Sequence, residues 1–453
     1  MNTGQSILRH VPGWTTGAWQ RPAPADRAAR SEAIEARIAR AAARIADPDL
    51  RRLFEGAFPN TLDTTIIAGG SDERPDTFVL TGDIHAMWLR DSTAQVWPYL
   101  SSVREDPVLD RLIRGVIHRQ SEQVFLDPYA NAFLFSASDR TEWVRDETEM
   151  RPGVHERKWE PDSIAAFLRL AARYWQVTQS TRPFDATWTA ALELALRTLR
   201  VEQRKDGSTP YRFRRPQGDP TDVVPNGGQG APTRPNGMVH GAFRPSDDAC
   251  NLPLNVPVNL ALAAALEQVA PLAAAVSVNA HAAEAAAIAA EIRAGVERDA
   301  IVEGSGRRLA YEIDGLGGSL HMDDANAPSL LALPYLGACR PDDPRYRATR
   351  QWVLSAENPW WFAGRTAQGV GSPHTGPRRV WPIALAIQGL TATDTAERLA
   401  CIRMLAATHA GTYLAHESFD PDDPAIFTRP WFAWANTLVG ELLECSALEG
   451  LLG

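Results

Sequence analysis

Two acidic stretches, far apart in the chain, carry residue types suited to handling a neutral sugar. Gly241–Asp248 (GAFRPSDD) ends in the adjacent carboxylates Asp247 and Asp248, with Arg244 close by. His416–Asn436 (HESFDPDDPAIFTRPWFAWAN) opens with Glu417 beside His416 and continues into Trp431, Phe432 and Trp434. A carboxylate can grip hydroxyls or activate water, and a flat ring covers the apolar face of a pyranose. Neighbouring carboxylates raise at least one pKa, as a general acid working near neutrality requires. Helix capping by Ser246 or an Asp, or plain solvation of Glu417, accounts for the same residues without function. Chemistry therefore requires folding to bring the two stretches to one pocket.

Four further segments carry candidates. In Thr81–Asp91 (TGDIHAMWLRD), Asp83 and Asp91 bracket His85, Trp88 and Arg90. An Arg–Asp neighbour pair can clamp vicinal hydroxyls through a forked donor and two acceptor oxygens. In Arg157–Asp162 (RKWEPD), Trp159 and Glu160 are sugar-site candidates, while Asp162 stands where a helix cap is expected. In His321–Asn326 (HMDDAN), Asp323 and Asp324 bind sugar or cap the next helix, with capping favoured. In Gly369–Thr375 (GVGSPHT), a Gly/Pro turn presents His374 as a hydroxyl donor.

Metal and phosphate signatures are weak. No HExxH exists, since His416–Glu417 continues as Ser-Phe-Asp, and Asp420–Pro424 (DPDDP) lacks full calcium-loop spacing. Neither Lys158 nor Lys205 follows a Gly-rich phosphate loop, and no G-x-S-x-G elbow is present. No metal and no cofactor are expected. The net charge of -9 disfavours nucleic acid, anionic membrane and polyuronate partners. Cys250, Cys339, Cys401 and Cys445 neither cluster nor form C-x-x-C pairs, which suits reduced thiols. Arg9, His10, Arg21 and Asp26 interrupt any apolar signal core, so a cytoplasmic location is expected. The best membrane-span candidate, Val256–Val276, is broken by Glu267, Gln268 and Pro271. Nothing in the pattern speaks to oligomeric state.

Helical periodicity must position these groups. From Pro161, the residues Ile164, Phe167, Leu168, Ala171, Tyr174 and Trp175 repeat at three and four, with Pro161 suited to the first turn. Similar patterns predict helices over Arg27–Ala46, Leu109–Phe125, Ala186–Val201, Asn255–Val269, Ala282–Val296, Asn326–Leu336, Val380–Leu390, Ala396–Ala410 and Phe432–Leu443. Strand-like alternation is confined to Thr77–Leu80 and Leu309–Ile313. The Pro/Gly-rich tract Gly207–Pro245 ends in GAFRPSDD, and long ordered loops are usually functional. The reading is one all-α domain over residues 1–453, an (α/α)6 toroid, with 1–26 an irregular N-terminal extension.

The segments TGDIHAMWLRDSTAQVWPYL, KWEPD, GAFRPSDDAC, MDDANAPSLLALPYL, GVGSPHT, VWPIALAIQGLT and HESF…TRPWFAWANTLVGE, in this order, resemble glycoside hydrolase family 125, the metal-independent exo-α-1,6-mannosidases. They run from about Thr81 to about Glu441, most of the chain. The resemblance implies an (α/α)6 fold and an inverting, metal-free mechanism on an α-mannoside oligosaccharide. By motif, Asp247 or Asp248 matches the acid, with Asp247 preferred, and Glu417 the base. Arg90, Asp91, Glu160 and His374 would then fix mannose hydroxyls, with Trp88, Trp431 and Trp434 as walls. The chain departs from the family pattern at Asn251-Leu252-Pro253, at Pro382 and in the long Gly207–Asn236 segment, all of which bear on the subsites. An α-glucosidase of the same fold, or a carbohydrate-binding protein without catalysis, are the competing readings.

Overall fold

The computed structural model describes residues 17–303 and 306–453. Among them, the most deeply buried elements are the helices Leu89–Val96, Pro161–Thr178, Val256–Ala275, Pro382–Leu390 and Ala433–Leu448, together with the turn-rich segment 326–336. They form a closed inner ring. The Leu89 helix packs on the Pro161 helix, that helix on Val256–Ala275, the Pro382 helix on Ala433–Leu448, and the last of these returns to Leu89–Val96. Ala165, Ala261, Leu336, Ile387 and Leu438 meet near the ring's axis.

Each inner element is followed by an outer partner: Pro107–Leu126, Ala186–Glu202, Asn279–Asp299, Pro344–Val353 and Thr395–Ala407. The final inner helix pairs instead with the early helices Glu32–Ala42 and Pro48–Ala57, which closes the outer layer. This is an (α/α)6 toroid. Outer helices are amphipathic; Pro107–Leu126 buries Leu109, Leu112, Ile113, Val116 and Ile117 on one stripe. Val256–Ala275 is apolar all round over residues 256–266, where it is covered all round, and carries Glu267, Gln268 and Pro271 where it emerges. It is long and apolar enough to cross a membrane, but most of it is buried inside the fold. One continuous hydrophobic cluster runs from Ile34 to Ala447.

One expectation needs correction. Asn326–Leu336 is a chain of turns rather than an α-helix. Pro328 and Pro334 remove two backbone donors, and the Asp323 carboxylate takes the N–H groups of Leu330 (2.8 Å) and Leu331 (3.0 Å). The N-terminal extension expected over 1–26 lies partly outside the described residues; its stretch from residue 17 carries only the short turn Pro24–Asp26 and is docked. Trp19 is buried against Leu414 and Trp431, its N–H donates to the Thr412 carbonyl, and Arg21 pairs with Asp63 and Glu35. The helices Pro48–Ala57 and Pro344–Val353 were not anticipated. Their signal is an Asp-Pro start: Asp47 and Asp343 each cap two backbone N–H groups ahead of a first-turn proline.

The inner helices point their N-termini at one mouth of the ring. The loops that precede them end in Trp88, Glu160, Asn255, Trp381 and Phe432, and the positive ends of several helix dipoles favour carboxylates there. Short ladders pin these loops: Met87–Trp88 with Ala132–Phe133 and Val154–Glu156, Leu254–Asn255 with Glu312–Ile313, and Ser418–Phe419 with Phe427–Thr428. Single bridges Gly82–Phe432 and Val380–Phe419 tie the last loop to the first and to the fifth. At Gly82, φ is 125° and a Cβ would stand 2.9 Å from the Trp431 carbonyl oxygen, so the ring closes there only on glycine.

Candidate active site

Inside this mouth is a cavity of about 370 Å³, and both Asp247 and Glu417 line it. The GAFRPSDD loop explains why only one of the two adjacent aspartates does so. The Asp247 N–H donates to the Arg244 carbonyl (2.9 Å) and the Arg244 N–H to the Asp248 carbonyl (2.8 Å), a tight turn that puts Asp247 at φ 68°. Asp tolerates that left-handed conformation better than most residues. The side chains then diverge. Asp247 faces the cavity, while Asp248 is buried behind the wall and accepts from His374 Nδ1 at 2.9 Å.

Arg90 anchors the acidic side. Its Nη1 donates to Glu160 Oε2 (2.6 Å) and Asp162 Oδ2 (3.1 Å), its Nη2 to Asp247 Oδ1 (3.2 Å), and Asp91 lies 3.6 Å from its Nε. Lys158 Nζ donates to the Asp247 carbonyl (2.8 Å) and pairs with Asp222 (2.8 Å). Four carboxyls around one buried guanidinium cannot all stay ionised, and burial decides which yield. Desolvation drives Glu160 well above the ordinary carboxylate range and Asp91 up to about 6, against the pull of Arg90. Asp247 goes the other way: although burial opposes it, Arg90 and then Lys158 hold it low.

Glu417 sits at the edge of the ladder Ser418–Phe419 with Phe427–Thr428. His416 stacks on Phe427 at 3.7 Å with the rings nearly parallel; burial pushes its pKa down to about 4, so it is a neutral structural ring. Arg429 Nη1 is 3.5 Å from Glu417 Oε1, and its Nε donates to Asp83 at 2.9 Å. The DPDDP stretch is a turn in which Asp420 accepts from the N–H groups of Asp422 and Asp423.

His374 lines the same cavity as the two acids. Burial would lower its pKa, but its Asp248 partner, then Glu417 and Asp247, raise it to about 9. The imidazolium is therefore the neutral-pH form. A folded pKa above the ordinary 6.5 means that this pairing stabilises the fold fully below pH 6.5 and loses its contribution as pH rises through about 9. NMR titration should place His374 near 9, and Asp248→Asn should bring it down by at least about one unit; an unchanged titration would rule out the pairing.

Other predicted residues divide. Trp88 and Asp91 reach the cavity wall, and Trp88 Nε1 has no hydrogen-bond partner among the described residues. Arg90 also lines the cavity, but its fork is taken up by carboxylates rather than left open for vicinal hydroxyls. Glu160 is fully buried behind the wall. Asp162 does not cap its helix; it faces Arg90. Asp83 binds Arg429, and half-buried His85 packs edge-on to His155, both set back from the cavity. Arg244 is held by Glu312 (2.6 Å) on the far side of the GAFRPSDD loop. Asp323 is the buried cap described above, its pKa pushed up to about 8 by desolvation. Trp159, Trp431 and Trp434 are core residues rather than sugar walls. Trp159 Nε1 donates to the His240 carbonyl, Trp431 Nε1 to Asn60, and Trp434 packs edge-on to Phe432.

Several lining residues were missed. Trp381, Lys158 and Arg429 lie within the quoted motifs, yet their neighbours drew the attention. Trp143 is the one aromatic residue of the largely polar stretch Asp139–Glu147, which is its sequence signal; Arg215 stacks on it at 3.6 Å. From the Gly207–Pro245 tract, Arg215, Asp219, Thr221 and Asp222 line one side of the cavity. Among the described residues, no group of three His, Cys, Asp or Glu side chains is arranged to hold a metal ion.

Comparison with known proteins gives concordant results. The family model described as metal-independent alpha-mannosidase (GH125) matches residues 47–444. The Meiotically up-regulated gene 157 protein of Schizosaccharomyces pombe is 40% identical over 460 residues, covering 96% of this chain and 90% of that protein. A solved Streptococcus pneumoniae structure from a family of metal-independent alpha mannosidases, in a non-productive complex with alpha-1,6-mannobiose, is 40% identical with a TM-score of 0.88, over 94% of this chain and 99% of that one. A bacterial glucoamylase complexed with acarbose, 13% identical with a TM-score of 0.51 over 81% of this chain and 50% of that one, shares the architecture alone. A family match spanning most of the sequence, with relatives at this identity, makes the chain a glycoside hydrolase of family 125, the metal-independent α-mannosidases.

Proposed function

We propose that the protein is an inverting, exo-acting α-mannosidase that removes terminal non-reducing α-1,6-linked mannose from oligosaccharides. Asp247 protonates the glycosidic oxygen. Glu417 deprotonates a water on the opposite face of the ring, and that water attacks the anomeric carbon in one displacement. Such a pair works at about 6.5–9.5 Å separation, with the water between. Protonated His374, Asp91 and Trp88 Nε1 hold the sugar's hydroxyls, and Arg429 orients Glu417.

The observation that carries this reading is that Asp247 and Glu417, from loops far apart in sequence, line the same cavity. Its size, near the small end of ligand pockets (about 300–1,000 Å³), suits a chain end more than an extended polymer. The α-1,6-mannobiose in the Streptococcus pneumoniae relative supports the linkage.

A panel of α-linked disaccharides and aryl glycosides tests substrate class. Hydrolysis of α-1,6-mannobiose to mannose, undiminished by a chelator, is expected. Turnover of α-glucosides but not α-mannosides would overturn the assignment, and so would activity lost to the chelator and restored by a metal ion.

A further inference from the structure

We propose that Glu160, one layer behind the cavity wall, stores the proton that Asp247 delivers to the leaving oxygen; it acts through Asp247 and is a positioning residue. The inference rests on Asp247 being the acid.

An acid catalyst must arrive protonated, yet Asp247 stands against the cations Arg90 and Lys158, with His374 nearby. That surrounding favours a carboxylate. Glu160 is in the opposite position: it is wholly buried, and two donors bridge it to Asp247. Arg90 gives Nη1 to Glu160 and Nη2 to Asp247. Asn131 Nδ2 lies 3.3 Å from Glu160 Oε1 and 3.5 Å from Asp247 Oδ1. Two carboxyls bridged by the same two donors repel each other when both are charged, so one holds a proton, and the deeper one retains it because charge there is costlier.

The other groups facing Glu160 leave this arrangement intact. Asp162 shares Arg90 and repels a second charge. Glu156, which also accepts from Asn131, is paired with Arg215 and Lys158. The Tyr211 phenol and Cys250 thiol are driven upward by burial and stay neutral. Asp247 shares Arg90 and Asn131 with Glu160 and also lines the cavity, so the stored proton reaches substrate through it.

During hydrolysis the O–H bond at Glu160 breaks as one forms at Asp247. Asp247 passes a proton to the glycosidic oxygen while the C–O bond to the leaving sugar breaks. Glu417 takes the proton lost by the attacking water. After product release, Glu417 returns that proton to solvent, and one from solvent re-enters through Asp247 to Glu160.

The test is Glu160→Gln in the full chain, which keeps shape and the contact with Arg90 but cannot transfer a proton. With α-1,6-mannobiose, kcat should fall about 100-fold or more with KM little changed. The alkaline limb of the pH profile should move to lower pH by at least about one unit. With a dinitrophenyl α-mannoside, whose leaving group needs no proton, the loss should be roughly tenfold or less. Glu160→Asp, which restores an ionisable carboxyl, should recover part of the rate. An unmoved alkaline limb, or equal loss on both substrates, would overturn the proposal, and so would a Glu160→Asp variant as impaired as Glu160→Gln. Should Glu160→Gln fail to fold, Glu160→Asp carries the test through its alkaline limb: a displaced limb supports storage, an unchanged one refutes it. Asp247→Asn assayed alongside separates the two claims, since equal loss on both substrates in that variant would strike at the acid assignment itself.

Discussion

Glu417→Gln should fold normally and lose roughly 10²–10⁴-fold in kcat, the range for removing a general base. The substitution keeps the side chain's shape, and Arg429 retains its partner Asp83, so no buried charge is orphaned. What disappears is the only function of a base: an amide cannot accept a proton from water. Substrate binding should change little, because the hydroxyl-holding groups belong to other loops, and KM should stay within a few-fold. Glu417→Ala sharpens the test. Azide needs no deprotonation, so adding it to that variant should restore turnover and give the β-configured glycosyl azide. A Glu417→Gln enzyme with more than about a tenth of wild-type kcat would remove Glu417 from the mechanism.

Asp247→Asn should be similarly damaging, but selectively. Protonation matters in proportion to how poor the leaving group is. Against α-1,6-mannobiose the variant should lose roughly 10²–10⁴-fold in kcat; against a dinitrophenyl α-mannoside most of the rate should survive. Asp248→Asn is the control for identity. Asp248 stands behind the wall holding His374, so its loss should weaken hydroxyl binding and raise KM without leaving-group dependence. The reverse pattern, with Asp248→Asn dead on the poor leaving group and Asp247→Asn active, would transfer the acid role to Asp248.

The helical frame was legible because burial on one stripe repeats at three and four residues, as in Pro161–Thr178. It failed where prolines interrupt an apolar run without changing its hydrophobicity, as at Pro328 and Pro334. The acids of the site were legible because carboxylates cluster in loops before helices. Their division of labour was not: Asp247 and Asp248 look alike in sequence, and only the left-handed turn at Asp247 sends them to opposite sides of the wall. Indoles misled most. Trp159 and Trp431 stand beside acids in the chain, yet each buries its ring and satisfies its N–H within the protein, whereas Trp143, in an unremarked polar stretch, reaches the cavity. Periodicity reports which residues are buried on a helix, not whether a loop aromatic turns inward. Arg90 was read as a sugar clamp because a lone Arg–Asp pair resembles one; Glu160, Asp162 and Asp247 converge on it only after folding.

The most direct test of a one-step displacement between Asp247 and Glu417 is proton NMR of the first mannose released from an α-mannoside, recorded before mutarotation. The β-anomer should appear first, the α-anomer growing in later. If the α-anomer appears first, water does not enter opposite the leaving group, and Glu417 is not its base.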